Sequence, residues 1–133
     1  MSKLWKKAVF CLLPVLLFLF SGCGTQEEEE SGQAFEVYYL NREETAISSE
    51  TVYLDESLTQ DEQISALLTA LQTAPEDVSL KASAGTSFQI NNYLVDEGQL
   101  NIDVDESYRK LPATTEVLVR ASLVRTLVQV DEI

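Results

Sequence analysis

Histidine is absent from this chain of 133 residues, and cysteine occurs only as Cys11 and Cys23. Without histidine, no serine can belong to a Ser-His triad, and the Cys/His ligand sets of zinc sites cannot form. Both cysteines lie in the N-terminal part of the chain, so we expect no disulfide within the domain that follows. We expect stability to come from a hydrophobic core alone, with no metal, no cofactor and no enzymatic activity.

Basic residues are also scarce, with nine Lys and Arg against 22 Asp and Glu and a net charge of −13. Residues 1–22 hold three of the lysines and no acid, so the remaining chain has six basic and 22 acidic residues, a net charge of −16. Such a chain repels phosphate groups, which makes nucleic acid and anionic lipid headgroups poor direct partners. A basic protein surface or a cation is a better candidate.

The N-terminus has the pattern of a secretory signal. Lys3, Lys6 and Lys7 give a positive start, and residues 8–20 form an apolar run of 13 residues that only Pro14 interrupts. A helix needs about 20 apolar residues to span a bilayer, so this run is short for a transmembrane anchor. We predict that residues 1–22 are a signal peptide that does not belong to the folded domain.

Cys23 follows this signal where cleavage is expected. The row Leu19-Phe-Ser-Gly-Cys23 resembles a bacterial lipobox, with phenylalanine at position 20, where leucine is preferred. The resemblance implies that Cys23 receives a diacylglyceryl group, and two acyl chains hold a protein stably on a membrane. We predict a lipoprotein on the outer leaflet of the cytoplasmic membrane of a Gram-positive-type bacterium. The alternative is a plain secreted protein with an incidental cysteine.

A short acidic segment connects this anchor to the domain. Residues 23–34 contain no large apolar side chain and include the four consecutive glutamates 27–30. Like charges repel and nothing here can be buried, so we predict a flexible tether. As a coil, such a segment reaches roughly 17 to 20 Å.

Residues 35–133 have the pattern of one α+β domain. Residues 35–40 alternate as a strand, residues 41–57 are polar with a short extended piece at 52–54, and Thr59 with Glu62 forms a capping box. Ile64, Leu67, Leu68 and Leu71 then fall on one helix face, and Pro75 marks the end of that helix.

A hairpin and a second helix complete the predicted order. Residues 88–95 and 100–104 read as two strands around a turn at Asp96-Glu-Gly98. Residues 116–130 favour a helix, and we expect its apolar face to point inward, namely Val117, Ala121, Val124 and Val128, with Leu118 and Leu127 widening it. We predict a small, mostly antiparallel sheet with two helices packed on one face. This order leaves a sheet edge without cover, so we expect either a domain that lacks its terminal strand or an edge that a partner completes.

Asp103 and Asp105 are the strongest candidates for chemistry. Their spacing resembles the start of a calcium loop, but Tyr108 and Thr114 stand where such a loop requires glycine and glutamate. Paired carboxylates could also act on a glycan, although the sequence shows no cleft around them. We favour two side chains on the solvent face of the strand. Five tyrosines could stack on sugars or on a partner, and we expect two or three of them in the core instead: Tyr38, Tyr39, Tyr53, Tyr93 and Tyr108.

The order of these elements resembles one known family. The relevant stretches are residues 37–41, the capped helix with its Leu67-Leu68-x-x-Leu71 pattern, Gly85-Thr86, the hairpin return 98–103 and residues 121–127. Together they resemble the GerMN domain of sporulation and spore germination lipoproteins, over residues 38–133. The resemblance implies a ring-building-type module without catalysis that helps to assemble envelope complexes. Its partners would be the membrane, through the lipid anchor, and envelope or sporulation proteins, with an oligomer through the sheet edge as a further expectation. A module that binds cell-wall glycan or a small ligand is the alternative.

Overall fold

The computed structural model describes residues 31–133, so the predicted signal peptide, Cys23 and most of the tether lie outside the described residues. The fold is α+β, as predicted, with two antiparallel sheets and two α-helices. In chain order the elements are β1 Gln33–Asn41, β2 Ile47–Leu54, α1 Gln60–Gln72, β3 Leu80–Lys81, β4 Ile90–Asp96, β5 Gln99–Val104, a 3₁₀-helix Glu106–Lys110 and α2 Ala113–Leu127.

The first sheet has the order β2-β1-β3, with β1 at its centre. Strands β1 and β2 pair without interruption from Gln33 opposite Leu54 to Leu40 opposite Ile47. The expectation of a polar stretch with a short extended piece was therefore wrong, since β2 is a full strand. Its side chains are only half-buried or exposed, so the sequence of β2 carries little hydrophobic signal.

The second sheet is the predicted β4–β5 hairpin. Asp96 pairs with Gln99, and the two turn residues Glu97 and Gly98 both have positive φ, at 49° and 76°. Positive φ at both central residues is the geometry of a type I′ turn, which matches the twist of the flanking strands.

Helix α1 confirms the prediction from its sequence. Thr59 and Glu62 form the capping box, and the four predicted apolar residues are all buried. At the other end, the N–H groups of Ser83 and Ala84 donate to the carbonyl of Leu71 at 3.0 and 3.1 Å. Gly85 follows with a φ of 87°, and a Cβ there would lie 2.7 Å from the carbonyl oxygen of Gln72. Only glycine allows this loop to pass so close to the end of the helix.

Helix α2 differs from its prediction in start and in orientation. It begins at Ala113 rather than at residue 116, because Pro112 occupies the N-cap position and its carbonyl accepts from the N–H of Glu116. The valines at the centre of the predicted inward face point outward, with Val117, Val124 and Val128 61%, 53% and 54% exposed. The residues that widen this face do contact the core, since Leu127 is buried and Leu118 packs against it. The buried face carries hydroxyl as well as apolar side chains, namely Thr115, Val119, Ser122, Leu123, Thr126 and Leu127.

Both helices pack against β1, and the core forms between them and the sheet. The largest fully buried side chains come from β1, from α1 and from the loop before β4: Phe35, Leu40, Ile64, Leu67, Leu71 and Phe88. The hairpin contributes half-buried residues to the edge of this core, including Tyr93, Leu100 and Ile102. Among residues 31–133, no helix has the length and apolar character that crossing a membrane requires.

Candidate functional site

The two candidate carboxylates make local hydrogen bonds, and neither lines the two grooves described below. Asp103 is exposed on β5 and accepts a hydrogen bond from the amide of Asn91 at 3.2 Å. Asp105 lies just beyond the strand and caps the 3₁₀-helix by accepting from the N–H of Ser107 at 3.0 Å. Within residues 31–133, no group of three or more Asp or Glu side chains is arranged to hold a metal ion.

The tyrosines are mostly engaged within the domain. Tyr39 is buried and donates to the carbonyl of Ala70, and desolvation raises the pKa of its phenol. The Arg125 guanidinium lies 4.4 Å from the ring centroid of Tyr38. Tyr93 donates to Asp61, and Tyr108 packs edge-on against Phe88 and donates to Glu116. Tyr53 is the most exposed of the five, at 41%. The five rings therefore do not form one stacking platform.

On the edge of β1 opposite β2, strand β3 pairs only with Leu40 and Asn41, and side chains from α2 and the residues just beyond it close this edge at Glu36 and Tyr38. The hydroxyl oxygen of Thr126 accepts from the N–H of Tyr38 at 3.0 Å, and Ser122 donates to the carbonyl of Tyr38. One turn further along, Gln129 accepts from the N–H of Glu36 at 2.9 Å and donates to its carbonyl at 2.7 Å. Thr126 and Gln129 are three residues apart, a rise of about 4.5 Å in a helix, whereas Tyr38 and Glu36 lie about 6.6 Å apart along the strand, and the longer side chain of Gln129 covers the difference.

We call the hydrogen bonds that join Ser122, Thr126 and Gln129 to β1 the polar ladder. This ladder explains the hydroxyl groups in the core. Ser122 and Thr126 have no exposed surface, and Ser83, which is 3% exposed, also donates to the carbonyl of Tyr38. Burying an unpaired polar group costs about 1–3 kcal/mol, so each hydroxyl must find a partner. Within residues 31–133, every buried side-chain nitrogen or oxygen has one.

The N-terminal end of helix α2 is held by Glu44 in the β1–β2 turn. The carboxylate of Glu44 accepts hydrogen bonds from Lys81 on β3 and from Thr115 in the first turn of α2. The bond from Lys81 and then that from Thr115 lower the pKa of Glu44 below its ordinary value. A negative charge also suits the positive end of the helix dipole. Glu44 thus joins the first sheet to the helix that closes its edge.

Strand β5 borders an apolar groove on α2. The groove has a volume of about 420 Å³, and its lining includes five consecutive residues, Gly98 to Ile102. Alternate side chains of a strand point to opposite faces, so a lining of consecutive residues runs along the edge of β5. The opposite wall is apolar and comes from α2 and the chain beyond it: Leu123, Val124, Leu127, Val128 and Ile133. Within residues 31–133, β5 pairs with β4 alone.

A second, more polar groove lies beside β2, at the edge of the other sheet. It has a volume of about 810 Å³ and combines threonine hydroxyls, carboxylates and small apolar groups. Glu50 reaches across it and accepts from the N–H groups of Glu76 and Asp77, at 3.2 and 2.6 Å. The remaining polar lining includes Thr51, Thr69 and Thr73.

Neither groove was predicted from the sequence, and the buried face of α2 was predicted with its centre on the wrong side of the helix. The available signal was the spacing of Ser122, Thr126 and Gln129, which fall four and three positions apart on one helix face. A polar stripe of that spacing is usually taken as the solvent side, although here it faces a strand edge. Nothing in the sequence alone distinguishes the two environments.

The fold and these surfaces define a small α+β domain in which helix side chains close one strand edge, while grooves border two others. A family model described as Germane, sporulation and spore germination, matches residues 36–133. The match covers well over half of the chain, so the chain belongs to this family, and the resemblance to the GerMN domain is confirmed. Membership gives the chain a role related to sporulation or spore germination, in a family not known for enzymes. No curated protein and no solved structure matches it.

Proposed function

We propose that the chain is a lipid-anchored, extracytoplasmic module that binds other proteins of the cell envelope during sporulation or germination, without catalysing a reaction. The family supports the process, and the lipobox-like row at Cys23 supports the anchor. The observation that carries the binding role is the β5 edge, which has no pairing strand within residues 31–133 and borders an apolar groove. Strand edges with apolar surroundings are a recurrent means of binding polypeptides.

The anchor is tested by expressing the chain in a Gram-positive host, as wild type and as Cys23→Ala. We expect the wild type in the membrane fraction with the mass of a diacylglyceryl adduct on Cys23. The variant should lack the adduct and leave the membrane, because the thiol that carries the lipid is gone. An unmodified wild-type product that starts elsewhere would contradict the anchor and leave the family membership untouched.

The cellular role is tested by deleting the gene in its spore-forming host and restoring it as wild type or as Cys23→Ala. We expect fewer heat-resistant or germinating spores in the deletion strain and recovery with the wild type. Recovery should be incomplete with the variant, since it cannot stay at the membrane. Normal spores in the deletion strain would count against the proposal.

The polar groove beside β2 supports a second candidate, a module that binds cell-wall glycan. Hydroxyl and carboxylate groups such as those of Thr51, Thr73 and Glu50 are suited to hydrogen bonds with sugars. Retention of the purified chain on isolated peptidoglycan, lost in Thr51→Val/Thr73→Val, would favour this function. Equal retention of the variant, or none of the wild type, would count against it.

A further inference from the structure

The edge of β5 offers backbone hydrogen bonds to an added strand. In an antiparallel pair, alternate residues of a strand direct their N–H and C=O groups away from the partner. Strand β5 has six residues and pairs with β4 alone within residues 31–133, so about half of its backbone groups face the groove side. A two-stranded hairpin gains stability from a third strand, which makes this edge receptive.

The groove determines which side chains such a strand would carry. Its far wall is formed by Leu123, Val124, Leu127 and Val128, and Val124 and Val128 are more than half exposed. A strand along β5 would turn every second side chain toward this wall and the others toward solvent. Apolar residues at alternate positions therefore match the groove.

The charges around the groove decide between possible occupants. At one end of the groove the β4–β5 turn lies close to Glu132, since a Cβ on Gly98 would lie 3.3 Å from the carbonyl oxygen of Glu132. Four acids adjoin Gly98 and Ile133 in the sequence, namely Asp96, Glu97, Asp131 and Glu132. One turn of helix before Val124, Arg120 is paired with Glu116. The end of the groove beside the β4–β5 turn thus favours a basic side chain.

Two other occupants fit this surface poorly. A second copy would bring the same acidic end and another strongly negative domain, since residues 31–133 hold six basic and eighteen acidic residues. Like charges oppose that association. The tether, residues 23–34, has no large apolar side chain for the wall and carries four glutamates.

We propose that β5 and the groove beside α2 bind an extended segment of a partner protein, which adds to the hairpin as a third strand. The segment carries apolar residues at alternate positions and a lysine or arginine next to the β4–β5 turn. This inference rests on the proposed binding function and assigns it a site and a class of ligand.

The test is selection of seven-residue peptides from a displayed random library on the full chain, purified in mild detergent. We expect enriched peptides with alternating apolar residues and a terminal lysine or arginine. The strongest peptide is then synthesised, labelled and titrated by fluorescence anisotropy. Binding to Val124→Gln/Val128→Gln should be at least about tenfold weaker, because the apolar wall is lost. Val117→Gln is the matched control, since Val117 is equally exposed on α2 and does not line the groove, and should bind within about twofold of wild type.

Backbone pairing is tested with the same peptide, N-methylated at either set of alternate residues. One set faces β5 and the other faces solvent, so one methylated peptide should lose binding and the other should keep it. Equal binding of both peptides, or equal binding to the wild type and the groove variant, would overturn the proposed site and leave the binding function standing. A library that yields no enriched peptide would overturn the ligand class. Dimerisation of the wild type that is abolished in Val124→Gln/Val128→Gln would assign the groove to a second copy and also overturn the proposal.

Discussion

The two sides of helix α2 depart from the usual distribution of polarity. Its inner side places the hydroxyls of Ser122 and Thr126 in the core with no exposed surface, whereas its outer side exposes Val124 and Val128 by more than half. The inner hydroxyls are there because β1 presents unpaired backbone groups to the helix, and side chains must satisfy them. The outer valines have no such partner within residues 31–133. The difference shows that burial alone does not determine the chemistry of a helix face.

The two strand edges beside this helix differ in the same way. The edge of β1 is closed by Thr126 and Gln129, whose side chains take the place of a neighbouring strand. The edge of β5 borders valine and leucine side chains, which cannot hydrogen-bond to it. One edge is thus complete within the domain, and the other is suited to a strand from outside.

The largest effect is expected from breaking the inner ladder at Thr126. Thr126→Val keeps the shape of the side chain but removes the oxygen that accepts from the N–H of Tyr38. That buried donor then has no partner, so the free energy of unfolding should fall by about 1–3 kcal/mol. Chemical denaturation measures this change.

Thr126→Ser is the matched control for that variant. It retains the hydroxyl and loses one methyl group, so the amide of Tyr38 should keep its protection from hydrogen exchange. The same amide should exchange much faster in Thr126→Val. Equal protection in both variants would show that the hydroxyl does not close the edge.

A smaller effect is expected at Gln129, where the ladder ends and the side chain is only half-buried. Gln129→Met removes the hydrogen bonds to the N–H and the carbonyl of Glu36, and water can partly replace them. We expect a loss of about 0.5–1.5 kcal/mol and faster exchange of the Glu36 amide. If that amide exchanges as fast in the wild type as the outward-facing amides of β5, the contrast between the two edges is wrong.

The two helices differ in how well their buried faces could be predicted from the sequence. Helix α1 packs an ordinary apolar face on the core, so the spacing of Ile64, Leu67 and Leu71 was sufficient. Helix α2 has apolar residues on both sides, and its polar stripe faces β1. The periodicity of Val117, Val124 and Val128 was real but pointed outward. The face of a helix that meets an open edge depends on tertiary pairing, which no local pattern encodes.

The strands also differ in how well the sequence predicted them. The hairpin was predictable because its turn requires glycine and its residues alternate, as at Leu100 and Ile102. Strand β2 was missed because it lies at an edge of its sheet, where no residue is fully buried. One groove arises where β5 lies beside α2 and the other where β2 lies beside α1, so both depend on tertiary packing and could not be predicted from the sequence.

A third, pH-dependent effect concerns Glu44, which holds the start of α2 against the first sheet. Its folded pKa lies below the unfolded value because Lys81 and Thr115 hydrogen-bond to the carboxylate. The stability that it contributes is therefore present above the unfolded pKa of about 4.3 and is lost as the pH falls through the lower folded pKa. We expect Glu44→Gln to be less stable than wild type at pH 7, with the difference vanishing in acid.

The measurement for Glu44 is a series of denaturation curves between pH 7 and pH 2 for both proteins. Glu43→Gln in the same turn is the control, because Glu43 makes neither of these hydrogen bonds, and it should follow the wild type. A difference at pH 7 that persists unchanged at the lowest pH would mean that the effect is steric and not due to the charge of Glu44.

The smallest effect on stability is expected on the outer side of α2. A variant there tests whether a residue of the binding groove also contributes to the free energy of unfolding. Val124→Thr is the reverse of the change at Thr126, since it introduces a hydroxyl where the side chain is 53% exposed. Water can solvate that hydroxyl, so the free energy of unfolding should change by no more than about 0.5 kcal/mol. The two exchanges between valine and threonine, two residues apart on the same helix and on opposite sides of it, should thus differ severalfold in their cost. A loss at Val124 as large as that at Thr126 would mean that the outer valines are already packed in the isolated chain, and the β5 groove would then be closed rather than open to a strand.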